Sequence, residues 1–409
     1  MADSSYEVLA GKRVVLGVTG SIAAYKAVAV ASALTQAGAQ VDVVMTREAT
    51  ELVRPLSFQA ITHRPVSTEM FHLLAETEIG HVSLGQHADL VLVAPATAHT
   101  LAKLALGLAD DMLSTTVLAT TAPLVIAPAM DANMYDSAAV RENVQRLRDR
   151  GAIIIEPAWG RMASGLIGTG RLVEPPLIVD TLRVVLGRSG DLAGWRVVVT
   201  AGGTQEAIDP VRFVSNRSSG KMGYAVAEAA RDRGASVVLI SAPTALACPL
   251  GVEVRSVVSA AEMCEAVATA IQDADLLVMA AAVADFRPEQ VAEQKIKKDG
   301  RELMLRLTPT TDILAATAAT SSDRLIRVGF AAESEELVKN AQAKLERKRL
   351  DLIVGNDITR PDSGFGSETN KVVILDRGGV RHDLPALPKR EVAHEILNAA
   401  LAIRRQGAA

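Results

Sequence analysis

Residues 13–26 read RVVLGVTGSIAAYK, an apolar run that passes through a glycine-containing turn into an alanine-rich stretch. An apolar run of this length is typical of a strand buried on both faces, as in a parallel sheet. The stretch at residues 22–37 predicts a helix, and Gly38 is placed to end it. The segment therefore predicts the strand–turn–helix unit of doubly wound α/β domains.

The same alternation continues through the first half of the chain. Four more short runs rich in Val, Ile and Leu are predicted strands, and they lie at residues 41–45, 89–94, 124–127 and 152–155. Longer alanine-rich stretches separate them, as expected for helices that cover a parallel sheet. The first half is therefore predicted to form one doubly wound α/β domain.

The pattern restarts after GRSGDLAG at residues 187–194, a Gly-rich polar stretch that predicts a linker. Six more predicted strands follow it, at residues 195–200, 236–240, 275–280, 326–330, 351–355 and 371–376. We therefore expect two α/β domains, covering residues 1–189 and 190–409.

The two halves also resemble each other. RVVLGVTG at Arg13 parallels RVVVTAGG at Arg196, and AGAQVDVVMT at Ala37 parallels RGASVVLISA at Arg233. This repetition predicts two related Rossmann-like folds. Neither half has G-x-G-x-x-G at a strand-to-helix turn or a G-x-x-x-x-G-K-[ST] motif, which argues against a standard NAD domain and a P-loop NTPase.

Composition narrows the class of protein. The 409 residues are 49% hydrophobic and 22% charged, enough for sizeable cores in more than one domain. The net charge of -4 gives no electrostatic footprint for nucleic acid or an anionic membrane. Only Cys248 and Cys264 occur, which excludes a disulfide framework and favours a reducing compartment. With no apolar run near the roughly 18 residues of a membrane span and no signal-peptide pattern, we expect a cytoplasmic protein.

Candidate ligand-binding residues follow the predicted strands. Gly20 and Ser21 form a strand-to-helix turn whose free backbone N–H groups favour a phosphate, although an ordinary turn would read the same. PATAHTLAKLALGLADDML at residues 95–113 and APAMDANMY at residues 127–135 also follow strand ends. Open α/β sheets bind ligands at the carboxyl ends of their strands, so these segments favour a ligand site.

The second half carries a stronger signal of the same kind. SNRSSGKMG, at residues 215–223, leads from a Gly-rich turn into an amphipathic helix. The residues at that helix start suit a phosphate or an acyl phosphate, since they combine hydroxyls, backbone N–H groups and a cation. They are Ser218, Ser219, Gly220 and Lys221.

The segments of the first half resemble the flavin-dependent cysteine decarboxylases. Over about residues 10–400, the chain resembles the bacterial bifunctional coenzyme A biosynthesis proteins, which join such a decarboxylase to a CTP-dependent ligase. The resemblance implies a homo-oligomeric flavoprotein decarboxylase fold followed by a ligase fold. It also implies a large homo-oligomer, a dodecamer, built from decarboxylase trimers and ligase dimers.

The resemblance implies a two-step reaction. The ligase would join cysteine to 4′-phosphopantothenate through an acyl-cytidylate, using CTP and Mg²⁺. The decarboxylase would use FMN to oxidise the cysteine thiol to a thioaldehyde, which accepts electrons as CO₂ leaves. Returning the hydride, with a proton from an acid, would then give 4′-phosphopantetheine.

Residue roles in the first half follow from matching positions. His81, in GHVSLGQHADL, matches the catalytic histidine, and an imidazole can take or hold a proton near pH 7. Residues that match the FMN site are Gly20, Ser21, Ile22, Thr46, Ala96, Thr97 and Asp110. Residues that match the substrate site are Asp131, Asn133 and Met134.

Two of the departures from the family pattern bear directly on the chemistry. Asp131 replaces the asparagine that contacts the substrate carboxylate, so we expect a protonated Asp131 or a substitute role for Asn133. Ser164, in GRMASGLIGTGRLVEP, replaces the cysteine that donates the final proton. A hydroxyl is a weaker acid than a thiol, so Ser164 would act through water or a neighbour. The Gly-rich segment suits either a mobile substrate clamp or a disordered loop.

The ligase half also matches position by position. Asn216 matches the family residue that positions the acyl intermediate, and Lys295 matches the lysine that stabilises the activation step. Asp285 matches a residue that contacts CTP, and it is the expected Mg²⁺ ligand. Lys344 and Lys348 are four apart on a predicted helix, so both can face one phosphate. The CTP contacts comprise Met279, Ala280, Ala281, Asp285, Lys295, Thr311, Asp312, Ile313, Leu314, Phe330, Lys344 and Lys348.

Two other functions fit parts of the sequence. Without the clamp cysteine, the first half could stop at the enethiol, like the oxidative peptidyl-cysteine decarboxylases. Related flavin folds also act as regulatory subunits that bind phosphatases. The ligase half argues against both alternatives, because it makes the decarboxylase's own substrate and because a regulatory subunit needs no CTP site.

Overall fold

The computed structural model describes residues 7–70, 80–298, 302–318, 324–333, 336–357, 366–379 and 381–407. The chain divides into two compact units, Met1–Leu186 and Gly187–Ala409. No helix in these described stretches has the length and apolar character needed to cross a membrane.

The first unit is built on a sheet of parallel strands. These strands are β1 (Arg13–Val18), β2 (Gln40–Met45), β3 (Val66–Ser67), β4 (Leu90–Ala96), β5 (Leu124–Pro128) and β6 (Ile153–Ile154). Their order in the sheet is β3-β2-β1-β4-β5-β6. Strands β1, β2, β4 and β5 match the predicted runs to within about two residues, because a strand buried on both faces is almost wholly apolar.

Helices cover both faces of this sheet. They are α1 (Ala24–Gln36), α2 (Arg47–Leu52), α3 (Pro55–Thr62), α4 (Gly80–His87), α5 (Ala98–Leu106), α6 (Met112–Ala119), α7 (Ala132–Asp136), α8 (Ala138–Asp149) and α9 (Pro175–Gly187). One apolar layer joins α1 and α9 to the sheet, and the other joins α5, α6 and α8. This two-sided packing confirms the predicted doubly wound fold.

The Gly-rich segment at residues 160–175 forms part of an antiparallel hairpin. Its strands are β7 (Ala158–Arg161) and β8 (Ile167–Arg171). The sequence had left a disordered loop open as an alternative, and the structure shows an ordered turn. At the tip, the backbone N–H of Met162 donates to the carbonyl of Leu166 at 2.8 Å.

The second unit has a larger, mixed sheet and smaller two-stranded sheets, which pair β10 with β11, β15 with β16, and β19 with β22. The strands of this unit are β9 (Arg196–Ala201), β10 (Gln205–Ala207), β11 (Phe213–Ser215), β12 (Ser236–Ser241), β13 (Glu253–Ser256), β14 (Leu276–Met279), β15 (Phe286–Pro288), β16 (Leu307–Pro309), β17 (Ile326–Glu333), β18 (Leu352–Asp357), β19 (Thr369–Asn370), β20 (Val372–Asp376), β21 (Arg381–Asp383) and β22 (Leu387–Pro388). The main sheet has the order β13-β12-β9-β14-β17-β18-β20-β21. Strand β20 pairs antiparallel with both β18 and β21, whereas all the other neighbouring strands of this sheet pair parallel.

Two helical layers cover this second sheet. The helices are α10 (Lys221–Asp232), α11 (Ala260–Ala270), α12 (Ile313–Ala318), α13 (Leu337–Arg347) and α14 (Lys389–Gly407). Helices α10 and α14 pack in one apolar layer, and α11, α12 and α13 pack in the other. The order β13-β12-β9-β14-β17-β18 repeats the order of the first sheet, so the predicted pair of related folds is confirmed.

The predicted linker at residues 187–194 is packed rather than loose. Leu192 is fully buried in the apolar layer of α10 and α14. A Cβ added to Gly190 would lie 2.5 Å from the carbonyl oxygen of Arg233, so the backbone there requires glycine. The glycines of this segment therefore allow it to pack closely against the backbone at Arg233, within the second unit.

His394 makes the second unit sensitive to acid. It lies on α14 with 2% exposure, and burial, together with the charges of Arg390 and Arg233, lowers its pKa from 6.5 to about 3. In the unfolded chain, His394 therefore binds a proton below about pH 6.5. In the folded unit, the same side chain binds a proton only below about pH 3. As the pH decreases from about 6.5 to about 3, the free energy of unfolding should decrease, by at most about 1.4 kcal/mol per pH unit from this group.

Replacement of His394 by glutamine should flatten that dependence. Urea unfolding of both proteins between pH 7 and pH 4 measures it. An identical slope in the two proteins would assign the acid sensitivity to other groups.

Candidate active sites

The first unit contains a cavity of about 640 Å³ at the carboxyl ends of β1, β4 and β5. Thr19, just after β1, joins two of these ends. Its Oγ1 donates to the carbonyl of Pro95 at 2.7 Å and accepts from the backbone N–H of Thr97 at 3.1 Å. The cavity therefore lies at the point where strand order reverses, which is where doubly wound folds bind ligands.

Most of the predicted first-half residues line this cavity. Those present are Gly20, Ser21, Ile22, Thr97, Asp131, Met134 and Ser164. They come from the turns after β1, β4 and β5 and from the tip of the β7–β8 hairpin. Strand ends and one hairpin thus bring together positions that are far apart in sequence.

Four of the residues predicted for the FMN and substrate sites lie elsewhere. Ala96 is fully buried in β4, and Thr46 caps α2 by accepting from the N–H of Ala49 at 3.4 Å. Asp110 pairs with Lys103 at 2.8 Å, and Asn133 is exposed on α7 outside the lining residues. Their side chains are therefore engaged in the fold or directed away from the cavity within this chain.

The two positions that depart from the family pattern touch each other. Ser164 Oγ donates a hydrogen bond of 2.6 Å to Asp131 Oδ2, although the residues are 33 positions apart. The other carboxylate oxygen accepts from the backbone N–H of Asn133 at 3.1 Å and caps α7. Asp131 therefore fixes the hairpin tip to the start of α7.

The base of the hairpin is anchored independently. The N–H of Met130 donates to the carbonyl of Gly170 at 2.9 Å. Just beyond β8, Lys26 Nζ contacts the carbonyl of Leu172 at 3.2 Å and Glu174 at 2.7 Å. The Lys26 ammonium lowers the pKa of Glu174, as expected for a carboxylate beside a cation. These contacts hold the base of the hairpin that carries Ser164 at its tip.

Three cations of the cavity lining were given no role from the sequence. They are Lys26, Arg161 and Arg171. Each stands within or beside a quoted motif, but nothing in its local pattern distinguishes it from a surface charge. Together they give the cavity a positive field suited to phosphate and carboxylate groups.

His81 lies near the start of α4 and does not line this cavity. Its Nδ1 is buried and has no hydrogen-bond partner in the described part of the chain. An unsatisfied buried nitrogen costs free energy, so its partner is expected from outside those residues. The structure therefore does not bring His81 together with Ser164 within one chain.

The second unit contains a cavity of about 470 Å³ at the ends of β9, β14 and β17. Thr200, in β9, accepts from the N–H of Ala281 at 3.1 Å, and Thr204 accepts from the N–H of Ala284 at 2.9 Å. These bonds fix the loop that follows β14. Predicted residues that line the cavity are Asn216, Ser218, Ser219, Gly220, Lys221, Met279, Ala280, Ala281, Asp285, Thr311, Asp312, Ile313, Leu314, Phe330, Lys344 and Lys348.

The turn before α10 requires its glycine. Gly220 has a φ of +77°, which side-chain-bearing residues rarely adopt. A Cβ there would also lie 2.7 Å from Thr244 Cγ2. Nearby, Asn216 Nδ2 donates to the carbonyl of Val283 at 3.1 Å, which ties this turn to the β14 loop that carries Asp285.

Two of the predicted cations line the cavity, Lys344 on α13 and Lys348 directly after that helix. Lys344 Nζ donates to the carbonyl of Phe330 at 2.7 Å, and Lys348 pairs with Asp312 at 2.9 Å. Burial would raise the pKa of Asp312, but Lys348 and backbone N–H groups lower it. Both lysines therefore line one cavity.

Lys295 is described but does not line the cavity. Its neighbour Ile296 is held by Asp209 and Arg212, to which the sequence had given no role. Asp209 Oδ2 accepts from the N–H of Ile296 at 3.2 Å, and Arg212 Nη2 donates to its carbonyl at 2.5 Å. Burial would raise the pKa of Asp209, but backbone N–H groups and Arg212 hold it at about 2. These contacts position the Lys295 segment.

Comparisons with known proteins match both units. Residues 3–187 match the family model described as Flavoprotein, and residues 192–403 match the DNA/pantothenate metabolism flavoprotein C-terminal domain. The coenzyme A biosynthesis bifunctional protein CoaBC of Bacillus subtilis is 46% identical, over 97% of this chain and 98% of its own length. The chain belongs to the family of bifunctional coenzyme A biosynthesis proteins.

Other members of this family match over similar lengths. The CoaBC protein of Escherichia coli is 43% identical, over 95% of this chain and 96% of its own. The crystal structure of the C-terminal domain of a CoaBC protein is 41% identical and covers 52% of this chain and 98% of that domain, with a TM-score of 0.45. As a family member, the chain is a bifunctional enzyme with a decarboxylase activity and a ligase activity.

Proposed function

We propose that residues 190–409 ligate cysteine to 4′-phosphopantothenate with CTP, and that residues 1–189 decarboxylate the product to 4′-phosphopantetheine with FMN. The observation that carries this proposal is the pair of separate cavities, one in each doubly wound unit at its strand-order reversal. Each is lined by residues at positions that match the family pattern. CTP and the flavin would thus occupy separate cavities.

The residues of the first cavity fit FMN. Its volume lies within the range of cofactor sites, and Gly20 and Ser21, which precede the start of α1, line it where a helix start favours a phosphate. Ile22 and Tyr25 are 69% and 63% exposed and offer apolar surface to a planar ring. When bound there, FMN supplies reversible hydride acceptance.

Other residues of the same cavity would handle the substrate. Arg161 and Arg171 attract its carboxylate. Ser164 would deliver the last proton to carbon, and a protonated Asp131 carboxyl group, within hydrogen-bond distance of its hydroxyl, would pass its own proton to the serine oxygen and regain one from solvent. The weak acidity of a lone hydroxyl is thereby compensated by a carboxyl neighbour.

A homo-oligomer would bring His81 to the chemistry. His81 does not line the cavity of its own chain, so it would complete the cavity of another copy in a trimer of first units. Trp159 and Ile167 on the β7–β8 hairpin are 71% and 63% exposed and supply apolar surface for such contacts. With dimers of second units, the assembly would be the dodecamer that the resemblance implies.

In the ligase cavity, the chain's cations and one carboxylate would organise CTP. Asp285 would hold Mg²⁺, which commonly binds one or two carboxylates together with substrate phosphates. This fits the absence, among the described residues, of any group of three His, Cys, Asp or Glu side chains placed to hold a metal. Asn216 would position the acyl-cytidylate.

Since Cys248 and Cys264 are both free thiols, a cytoplasmic location is proposed.

The flavin content tests the first-unit proposal. The purified protein is expected to be yellow and to release FMN on denaturation, as identified by mass spectrometry. A colourless protein that takes up no added FMN would overturn the decarboxylase part. Measuring CTP-dependent pyrophosphate release in the same preparation shows whether the ligase part stands independently.

A further inference from the structure

Lys389 lines the ligase cavity although no sequence pattern marked it. It is the first residue of α14 and is only 7% exposed. Its Nζ donates to the carbonyl of Ser367. A buried ammonium group is costly unless it meets acceptors or counter-charge. The Ser367 carbonyl supplies one such acceptor, and the same lysine also lines the cavity.

Lys221 reaches the same short segment. Its Nζ donates to the carbonyl of Gly366 at 2.9 Å and pairs with Glu368. Lys221 and Lys389 thus both contact residues 366–368, and both line the cavity. The structure gathers two ammonium groups from α10 and α14 at one end of the site.

The charge balance at this end favours an anion. Glu368 is 84% exposed, so water screens its attraction for the two lysines. Burial and the charge of Lys221 lower the pKa of Lys389, and Glu368 opposes them. An anionic group placed between the ammonium ions would relieve both their repulsion and the loss of hydration.

The cavity has a second pair of cations on its other side. Lys344 lies on α13 and Lys348 directly follows it, and α13 packs in the opposite apolar layer from α10 and α14. The ligase reaction has two phosphate-bearing substrates, a nucleoside triphosphate and a phosphate monoester. Two separate pairs of cations match two separate phosphate groups.

We propose that Lys389 and Lys221 form a phosphate subsite on the α10–α14 side of the ligase cavity, and that Lys389 is a specificity residue that binds a substrate phosphate there. This inference rests on the proposed ligase function. The occupant that fits best is the phosphate monoester of 4′-phosphopantothenate, since Lys344 and Lys348 are placed for the nucleotide. The triphosphate of CTP has the same chemistry and is distinguished by the test.

Lys389→Met removes the charge and keeps an unbranched side chain, so it is expected to fold. KM for 4′-phosphopantothenate should rise about 10- to 100-fold, as for loss of one charge-assisted hydrogen bond. The inhibition constant of pantothenate, which lacks the phosphate, should not change. Lys389→Arg should recover part of the affinity. The matched control is Lys339→Met on α13, where the lysine is 77% exposed and outside the cavity lining.

The other outcomes are equally informative. A raised KM for CTP, with the KM for 4′-phosphopantothenate unchanged, would support the subsite and assign it to the triphosphate. Unchanged constants, or an equal loss for 4′-phosphopantothenate, pantothenate and CTP, would overturn the inference. A parent protein without CTP-dependent ligation would instead contradict the proposed function, so the two failures are separable.

Discussion

Replacement of Lys295 by glutamine is expected to reduce CTP-dependent pyrophosphate release by about 100- to 1000-fold, the usual effect of removing one donor from a site of developing charge. Lys295 is exposed, so its loss should not destabilise the second unit. Asp209 and Arg212 hold the next residue, Ile296, and so keep the segment in place when the charge is removed. Flavin content and decarboxylation of supplied phosphopantothenoylcysteine should remain at the parent level.

Lys298 supplies the matched control for this experiment. It lies in the same segment, is exposed and has no proposed role. Lys298→Gln should therefore retain ligase activity. If Lys295→Gln released pyrophosphate at the parent rate, the assignment of Lys295 would be wrong. If both variants lost activity equally, the net charge of the segment would matter instead of one lysine.

Replacement of Ser164 by alanine is expected to change the product of the first unit. Without the hydroxyl, no group at the hairpin tip delivers the last proton, so the enethiol should accumulate. That product is two hydrogens lighter than 4′-phosphopantetheine, and anaerobic mass spectrometry detects it directly. The hydrogen bond of 2.6 Å to Asp131 is the physical basis of this expectation.

Two further variants separate proton delivery from simple positioning. Ser164→Cys places a stronger acid at the same point and should give the fully reduced product. Asp131→Asn keeps an acceptor for Ser164 but cannot supply a proton, so it should also yield the lighter product. Complete reduction by Asp131→Asn would show that Asp131 only positions the hairpin. If Ser164→Ala gave the fully reduced product, Ser164 would have no role in delivering the proton.

The sequence predicted the fold well where burial dictates composition. Strands β1, β2, β4, β9 and β12 lie between helical layers, so their apolar runs stand out and their bounds were close. It did not predict the β7–β8 hairpin, since glycines and polar residues there carry no strand signal. It also could not give the antiparallel direction of β20, because an apolar run encodes burial and not orientation.

The same distinction applies to the sites. Gly20 and Thr97 come just after parallel strands, and because parallel strand ends converge, their place at a cavity could be predicted. The Ser164–Asp131 contact depends on how a hairpin folds back over the sheet. Lys389 reaches its cavity only through the packing of α14 against α10, which no local pattern records.

Mass spectrometry of the complete reaction tests whether the two units act in sequence. The mixture contains 4′-phosphopantothenate, cysteine, CTP and Mg²⁺, with the purified protein under anaerobic conditions. We predict a product at the mass of 4′-phosphopantetheine, formed with CMP and pyrophosphate. A product two hydrogens lighter, with flavin left reduced, would contradict reduction through Ser164 and Asp131. A mixture with no cysteine adduct would contradict the ligase function.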